Sequence, residues 1–230
     1  MSNIVAIIPA KGKSTRVPKK NKRDFCFTNL VQIKIKQLKK VRQINEIIVD
    51  SDDQDIINIA KAEGVSFQTR PDDLSMTNSL WSDVFDYLIK PYTDEHILLS
   101  FVTTPFITPI IYSEMIKVYL NKLESNDSCL AVSKIQTHLL KSDGTPLNFQ
   151  FGRAHKNSED LDYFYELLAG AYLINTITAK HHKYHIGQNP QLFVLDKINA
   201  IDINVKDDWN LAEALLKGLG ENYLYDTKSC

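Results

Sequence analysis

At 230 residues, with 43% hydrophobic and 24% charged residues, the chain has the size and composition of one soluble α/β domain with a substantial core. Its 27 basic and 28 acidic residues give a net charge of -1, which argues against general binding to nucleic acid. The three widely spaced cysteines, Cys26, Cys129 and Cys230, indicate neither a disulfide framework nor a zinc site. With no signal-peptide pattern and no apolar run of membrane-spanning length, we expect a cytoplasmic protein without a membrane partner.

The first predicted strand leads into a basic loop. Residues 4–8 are apolar and rich in β-branched side chains, which predicts a buried strand, and Pro9 ends it. Residues 11–23 contain seven basic residues and no acidic one, and Gly12 allows the backbone to approach a ligand closely. This arrangement is typical of a phosphate site at the carboxyl edge of an α/β sheet. The spacing matches neither the dinucleotide-binding nor the P-loop motif, and a solvated loop or a nucleic-acid surface is the alternative.

The remaining elements alternate between strand and helix. Periodicity and capping signals predict helices at residues 29–41, 54–63, 80–89, 110–123 and 176–184, and a last helix from residue 206. Apolar runs predict further strands at residues 46–50, 65–68, 97–102, 129–134, 169–174, 193–195 and 200–203. This order is typical of a three-layer α/β protein with a mostly parallel sheet.

The alternation is interrupted at residues 135–168. This segment is polar and aromatic but has no helical period, which predicts a β excursion that serves as an inserted arm or lid. A long surface loop is the alternative. We expect a single domain over residues 1–220 and an irregular tail at residues 221–230.

Polar residues follow several predicted strands at their carboxyl ends, where open α/β sheets bind ligands. They are the basic loop, Arg70-Pro71, Thr103-Thr104-Pro105, and an acidic group after residue 201. Basic groups for a polyphosphate and clustered oxygen ligands for Mg²⁺ are what nucleotidyl transfer requires.

Some of these candidates have a simpler interpretation. Asp207 and Asp208 open a predicted helix, where carboxylates complement the helix dipole. His181 and His185 have a spacing that metal sites use, but without a fitting carboxylate they are more typical of a solvated helix end.

A resemblance to a known family connects these pieces. The motifs are Ile8-Pro9-Ala10-Lys11-Gly12, Pro18-Lys19-Lys20-Asn21, Val49-Asp50-Ser51-Asp52-Asp53, Arg70-Pro71, Thr103-Thr104-Pro105, Gly170-Ala171-Tyr172 and Ile201-Asp202-Ile203-Asn204. In this order, the chain resembles the acylneuraminate (CMP-sialic acid) cytidylyltransferase family and its relatives that act on other keto sugars. The resemblance extends to about residue 219.

The resemblance implies a Rossmann-like nucleotidyltransferase fold that transfers CMP from CTP, with Mg²⁺, to the hydroxyl of a keto-sugar acid and releases pyrophosphate. It implies a homodimer that exchanges the arm. By position, the residues it assigns to the nucleotide are Ala10, Lys11, Gly12, Lys20, Asn21 and Arg70. It assigns catalysis to Lys11, Lys20 and Asp202, the small anionic sugar substrate to Thr103 and Thr104, and the metal to Asp202 and Asn204.

Three departures from the family pattern bear on function. Lys13 follows Gly12 where the family has a second glycine, and Thr103 and Thr104 lie in a loop that lacks the family's glutamine. Asn204 stands where the family has the second aspartate of its metal pair, which should weaken Mg²⁺ binding. The alternative function is therefore a catalytically weakened nucleotide-sugar-binding protein of the same fold.

Overall fold

The computed structural model describes residues 2–76 and 78–226, in which seven strands form one sheet. The strands are β1 (Ile4–Pro9), β2 (Glu46–Ser51), β3 (Ser66–Thr69), β4 (His96–Ser100), β5 (Ser128–Ile135), β6 (Phe164–Asn175) and β7 (Pro190–Leu195). The α-helices are α1 (Leu30–Lys39), α2 (Gln54–Ala62), α3 (Trp81–Ile89), α4 (Pro109–Asn121), α5 (Thr176–His182) and α6 (Lys206–Leu219). None of the described helices has the length and apolar character needed to cross a membrane.

The sheet is mostly parallel, as predicted. Its strand order is β3-β2-β1-β4-β6-β5-β7, and β6 is antiparallel to both of its neighbours while the other pairs are parallel. The central strands β1, β2 and β4 therefore end at the same edge. That edge carries the loops from which a site can be built.

The core lies on both faces of the sheet, which gives the predicted three layers. Along β1, Ile4, Ala6 and Ile8 pack on one face while Val5 and Ile7 pack on the other. This follows from the two-residue period of a strand, and it explains why β1 is apolar throughout. The first face is covered by α1, α2, α4 and α6, and the second by α3 and α5.

Side-chain caps fix the beginnings of the helices that precede and follow β2. The Asn29 side chain accepts a hydrogen bond from the backbone N–H of Gln32 at the start of α1. Asp53 accepts from the N–H groups of Asp55 and Ile56 and so caps α2, as predicted from the sequence. Caps of this kind contribute about 1 kcal/mol each.

The predicted excursion lies between two antiparallel strands. β6 begins at Phe164, earlier than predicted, and this part of the strand pairs with the end of β5, with Ile135 opposite Phe164. Residues 136–163 form the connection, which contains two short 3-10 helices. Of the predicted β excursion, only Ile135 and residues 164–168 are strand, whereas residues 136–163 form a long connection without a strand. Its role as an arm or lid stays a prediction.

Two predicted elements are different in the structure. Residues 200–203 are not a strand, although Ile203 is buried. The predicted irregular tail is wrong for Glu221–Tyr225, which forms a 3-10 helix with Leu224 buried against the core. Residues 227–230 of the predicted tail lie outside the described residues.

Candidate active site

Three of the predicted polar segments meet at the carboxyl edge of the sheet. The Lys20 side chain reaches from the basic loop and donates a hydrogen bond to the Ile203 carbonyl, with Nζ 2.6 Å from the oxygen. The backbone N–H of Ile203 in turn donates to the Thr103 carbonyl over 2.8 Å. The basic loop, the segment 201–204 and the loop after β4 are thus joined by direct hydrogen bonds.

The basic loop is held by the acidic start of α2. The Gly12 N–H donates to Asp52 Oδ1 over 2.7 Å, and a Cβ atom at Gly12 would lie 2.6 Å from the Cβ atom of Asp53. Only glycine allows this approach without a shift of the backbone. Lys22 Nζ binds Asp53 and Asp55 at 2.6 and 2.7 Å. These anchoring contacts of the loop were not predicted.

Two predicted nucleotide-binding residues in this region have mainly internal contacts. The Asn21 side chain is buried, and its Nδ2 donates to the Lys11 carbonyl over 2.7 Å, while its Oδ1 has no hydrogen-bond partner among the described residues. Ala10 is fully buried, and its N–H extends the sheet by donating to the Asp50 carbonyl. Their contacts with a nucleotide stay predictions.

Lys11 and Lys20 are cations that bind only carbonyl oxygens. Lys11 Nζ donates to the Met76 carbonyl over 3.0 Å, and within the described residues neither lysine has a carboxylate oxygen within 4.0 Å. Burial lowers the pKa of Lys20, and the charge of Asp202 partly offsets this effect. Both ammonium groups can therefore accept a phosphate without first losing an ion pair.

Asp202 has a carboxylate oxygen that is available to coordinate a divalent cation. Its Oδ2 accepts a hydrogen bond from Asn204 Nδ2 over 2.7 Å, whereas its Oδ1 is buried and has no hydrogen-bond partner among residues 2–76 and 78–226. An unpaired carboxylate oxygen fits a hard cation such as Mg²⁺. Asn204 Oδ1 accepts from Arg16 Nη2 over 3.2 Å, and sequence reasoning did not single out Arg16. The described residues contain no cluster of three acidic, histidine or cysteine side chains that could hold a metal by themselves.

Asp208 caps the start of α6, in agreement with the interpretation that its carboxylate stabilises the helix. Its Oδ2 accepts hydrogen bonds from the N–H groups of Asn204 and Val205, both over 2.8 Å, at the start of α6. This arrangement pairs backbone donors that the helix leaves free. Asp207 is exposed at the same helix start.

Arg70 is buried in an ion pair with Asp50. Its Nε lies 2.6 Å from Asp50 Oδ2, and Gln68 donates to the other carboxylate oxygen over 3.1 Å. Burial raises the pKa of Asp50, while the positive charge of Arg70 opposes this shift. The pair fixes the end of β2 next to β3, and the predicted contact of Arg70 with a nucleotide base stays a prediction.

The two candidate substrate residues after β4 differ in their exposure. Thr103 is partly exposed, and its hydroxyl donates weakly to the Ala169 carbonyl over 3.3 Å. Thr104 is fully buried and its hydroxyl donates to the Phe101 carbonyl. The structure therefore does not favour the predicted contact between the Thr104 side chain and a substrate, because that side chain supports the loop from within.

An aromatic cluster supports the same loop from the other face of the sheet. Trp81 Nε1 donates to His185 Nδ1 over 2.9 Å, and the rings of Tyr172 and Tyr184 also pack on the imidazole. Phe101 joins through Trp81, with ring centroids 5.5 Å apart. Burial lowers the pKa of His185 to about 4. The interpretation of His185 as part of a solvated helix end was thus wrong.

Comparison with known proteins shows consistent similarities. A sequence model of the family described as Cytidylyltransferase matches residues 5–169. The chain is 24% identical over 219 residues to N-acylneuraminate cytidylyltransferase of Escherichia coli O18:K1:H7, and this alignment covers 92% of the chain. It spans about half, 51%, of that relative. It is 26% identical over 231 residues to pseudaminic acid cytidylyltransferase of Campylobacter jejuni strain 81-176, covering 94% of this chain and 97% of the relative.

Solved structures agree on the fold. A CMP:2-keto-3-deoxy-manno-octonic acid synthetase complexed with CTP superposes with a TM-score of 0.72 at 13% identity, covering 95% of this chain and all of the other. A cytidylyltransferase from Leptospira borgpetersenii gives a TM-score of 0.62 at 14% identity, covering 97% and 90%. At these identities the likeness concerns the fold alone.

Proposed function

The chain belongs to the cytidylyltransferase family, and on this premise we propose that it transfers CMP from CTP to the hydroxyl group of a keto-sugar acid of the nonulosonic-acid type. The names of its relatives, which refer to N-acylneuraminate and pseudaminic acid, support this substrate class. The observation that carries the proposal is the geometry at the carboxyl edge. Lys20, which has no carboxylate partner among the described residues, is joined through Ile203 to the segment that holds the unpaired oxygen of Asp202.

The proposed reaction is a displacement at the α-phosphorus of CTP. The acceptor hydroxyl oxygen, for which we propose the anomeric hydroxyl, forms a bond to that phosphorus and loses its proton. The bond from the same phosphorus to the α,β-bridging oxygen breaks, and pyrophosphate leaves with the electron pair. Because such reactions depend on positioning and on neutralising phosphate charge, Lys11 and Lys20 are assigned to the phosphates.

We assign Mg²⁺ as the cofactor, with Asp202 as the main protein ligand. A divalent ion bound there neutralises charge on the triphosphate. Asn204 can contribute one neutral oxygen, but its Oδ1 accepts a hydrogen bond from Arg16 in this conformation. The remaining ligands of Mg²⁺ would be phosphate oxygens and water, as Mg²⁺ commonly prefers.

We also propose a homodimer built on the β5–β6 extension. Tyr165 and Leu167 lie on one face of β6 and are exposed. Val194 on the edge strand β7 is also exposed, and it pairs with Val132 of β5, which is paired with Leu167 on its other side. Apolar side chains in such a group are typical of an interface between copies of a chain. Replacing Tyr165 and Leu167 by lysine should convert the dimer to a monomer in light scattering, because both charges would lie in the interface. A parent protein that is already monomeric at micromolar concentration would contradict the proposal.

A nucleotide-sugar-binding protein without catalysis is the second candidate, and Asn204 favours it because a neutral amide replaces a carboxylate of the family's metal pair. The test is pyrophosphate release from CTP and Mg²⁺ with a panel of eight- and nine-carbon keto-sugar acids. Release that requires one of the acceptors supports the enzyme. CTP binding without release for any member of the panel supports the binding protein. Since the proposed enzyme uses CTP, we propose that it works in the cytoplasm.

A further inference from the structure

The loop after β4 is fixed by its backbone carbonyl groups. Three successive carbonyls, those of Thr103, Thr104 and Pro105, each accept a hydrogen bond from a different residue. The donors are the Ile203 N–H at 2.8 Å, Lys34 Nζ at 2.9 Å and Gln37 Nε2 at 2.6 Å. Two of the three donors are side chains of the same helix, α1, although about 70 residues separate them from the loop.

Lys34 is an unusual residue for its position. It is fully buried, and its Nζ also donates to the Tyr112 hydroxyl over 2.7 Å, which shares a hydrogen bond with Ser100 Oγ. Within the described residues no carboxylate lies within 4.0 Å of its Nζ. Burial lowers the pKa of Lys34 well below its usual range. An apolar side chain would fill this space without the desolvation cost, so stability alone does not explain a lysine here.

Gln37 lies one turn further along α1 and is also fully buried. Its Nε2 donates to the Leu224 carbonyl over 3.0 Å as well as to Pro105, and its Oε1 has no hydrogen-bond partner in the part of the chain that the structure describes. Gln37 therefore links the loop to the 3-10 helix Glu221–Tyr225. Residues 104–109, which follow in the loop and at the start of α4, are all buried. The partly exposed residues at the end of β4 and in the loop are Phe101 and Thr103.

We propose that Lys34 and Gln37 are positioning residues for the acceptor sugar, acting through the carbonyls of Thr104 and Pro105. Their hydrogen bonds fix the loop against α1, so that Thr103 has a single conformation when the acceptor binds. This inference rests on the proposed function. A loop that is rigid before the substrate arrives lowers the entropic cost of aligning the acceptor hydroxyl with the α-phosphorus.

The test compares Lys34→Met and Gln37→Met with Lys36→Met, a matched control on the same helix. Lys36 has no polar side-chain contact within the described residues. Hydrogen exchange of the amides in residues 101–108, measured without substrates, should be roughly tenfold faster in the first two variants and unchanged in the control. With the best acceptor, kcat/KM for the acceptor should fall roughly tenfold, while the Kd for CTP stays within about twofold.

Unchanged exchange in both variants would overturn the proposal. Equal losses for the acceptor and for CTP would also overturn it, since they would indicate a general structural role. If Lys34→Met does not fold, Gln37→Met decides, because it releases the neighbouring carbonyl without touching a charge. If the parent releases no pyrophosphate with any acceptor, the proposed function has failed. The exchange experiment then still decides whether Lys34 and Gln37 hold the loop.

Discussion

The basic loop and the loop after β4 follow adjacent parallel strands and meet at the same edge, yet they are built in opposite ways. In the basic loop, residues such as Lys13, Arg16 and Lys19 are exposed, and among the described residues the cations assigned to phosphate bind carbonyl oxygens and no carboxylate. In the loop after β4, residues 104–109 are buried, and donors of α1 hold two of the carbonyls.

The difference shows how one edge can serve two substrates. A triphosphate is recognised through charge, so the phosphate-binding cations of the first loop need to be without carboxylate partners. The conformation of that loop is fixed by other contacts, those of Gly12 and Lys22 with Asp52 and Asp53. A sugar hydroxyl carries no charge and must be aligned by geometry, which favours a buried and rigid second loop. Changes to the first loop should therefore affect nucleotide binding, and changes to the second should affect the acceptor.

The largest effect is expected at the metal ligand between the two loops. Asp202→Ala should lower kcat roughly 100-fold or more, because the assigned ligand of the divalent ion is lost, while CTP still binds through Lys11 and Lys20. The measurement is pyrophosphate release alongside calorimetric titration with CTP. Asp207→Ala, which removes an exposed carboxylate nearby, is the control and should keep its activity. Full activity in Asp202→Ala would eliminate the metal assignment.

The basic loop itself should respond in nucleotide affinity. Lys20→Ala removes a charge-assisted contact to phosphate worth roughly 1.5–3 kcal/mol, which corresponds to a 10- to 150-fold weaker Kd for CTP. Calorimetry with Mg²⁺ measures the change. Lys13→Ala removes one exposed charge from the same loop and should have a much smaller effect. Equal losses in both variants would mean that the loop acts only through its total charge.

The free energy of unfolding should depend on pH through His185, which packs in the aromatic cluster that supports the loop after β4. Its pKa is about 4 in the folded chain and about 6.5 when exposed, so the unfolded chain takes up the proton first. The stabilisation is therefore complete above pH 6.5 and is lost as the pH falls to about 4, by about 3 kcal/mol. Urea unfolding between pH 7 and pH 4 should show this loss in the parent and much less in His185→Phe. The exposed His181→Phe should behave as the parent does, and a parent whose stability is flat over this range would refute the account.

The smallest effect is expected at Asn204. Asn204→Asp restores a second negative charge next to Asp202 and should lower the Mg²⁺ concentration for half-maximal rate by about threefold to tenfold. A Mg²⁺ titration of pyrophosphate release measures it, with Asn210→Asp on the exposed side of α6 as the control. Turnover that appears only in Asn204→Asp would favour the binding protein as the natural function.

Much of the fold could be predicted because apolar periodicity follows burial. β1 is apolar at every position since both faces of the sheet are covered, and the cap at Asp53 is visible in the sequence. The early start of β6 was missed because Phe164 to Leu167 are exposed and have no pattern of burial. Residues 200–203 were wrongly predicted as a strand. Ile203 is buried, but its N–H donates to the Thr103 carbonyl in the loop after β4 and does not pair in the sheet.

The site could be predicted in part, since loops after parallel strands share one edge. This rule correctly brought Lys20, Thr103 and residues 201–204 together. The buried state of Thr104 and the contacts of Lys34 were not predictable, because they depend on how α1 packs against a loop far away in the sequence. A lysine on the apolar side of a predicted helix is the one sequence signal that could have indicated such a contact.

The most direct test follows the acceptor oxygen. The chain is incubated with CTP, Mg²⁺ and an active keto-sugar acid whose anomeric hydroxyl carries ¹⁸O, and the products are analysed by mass spectrometry. If the acceptor hydroxyl attacks the α-phosphorus, the CMP-sugar retains the label and the pyrophosphate contains none. A CMP-sugar without the label, or consumption of CTP without any CMP-sugar, would contradict the account.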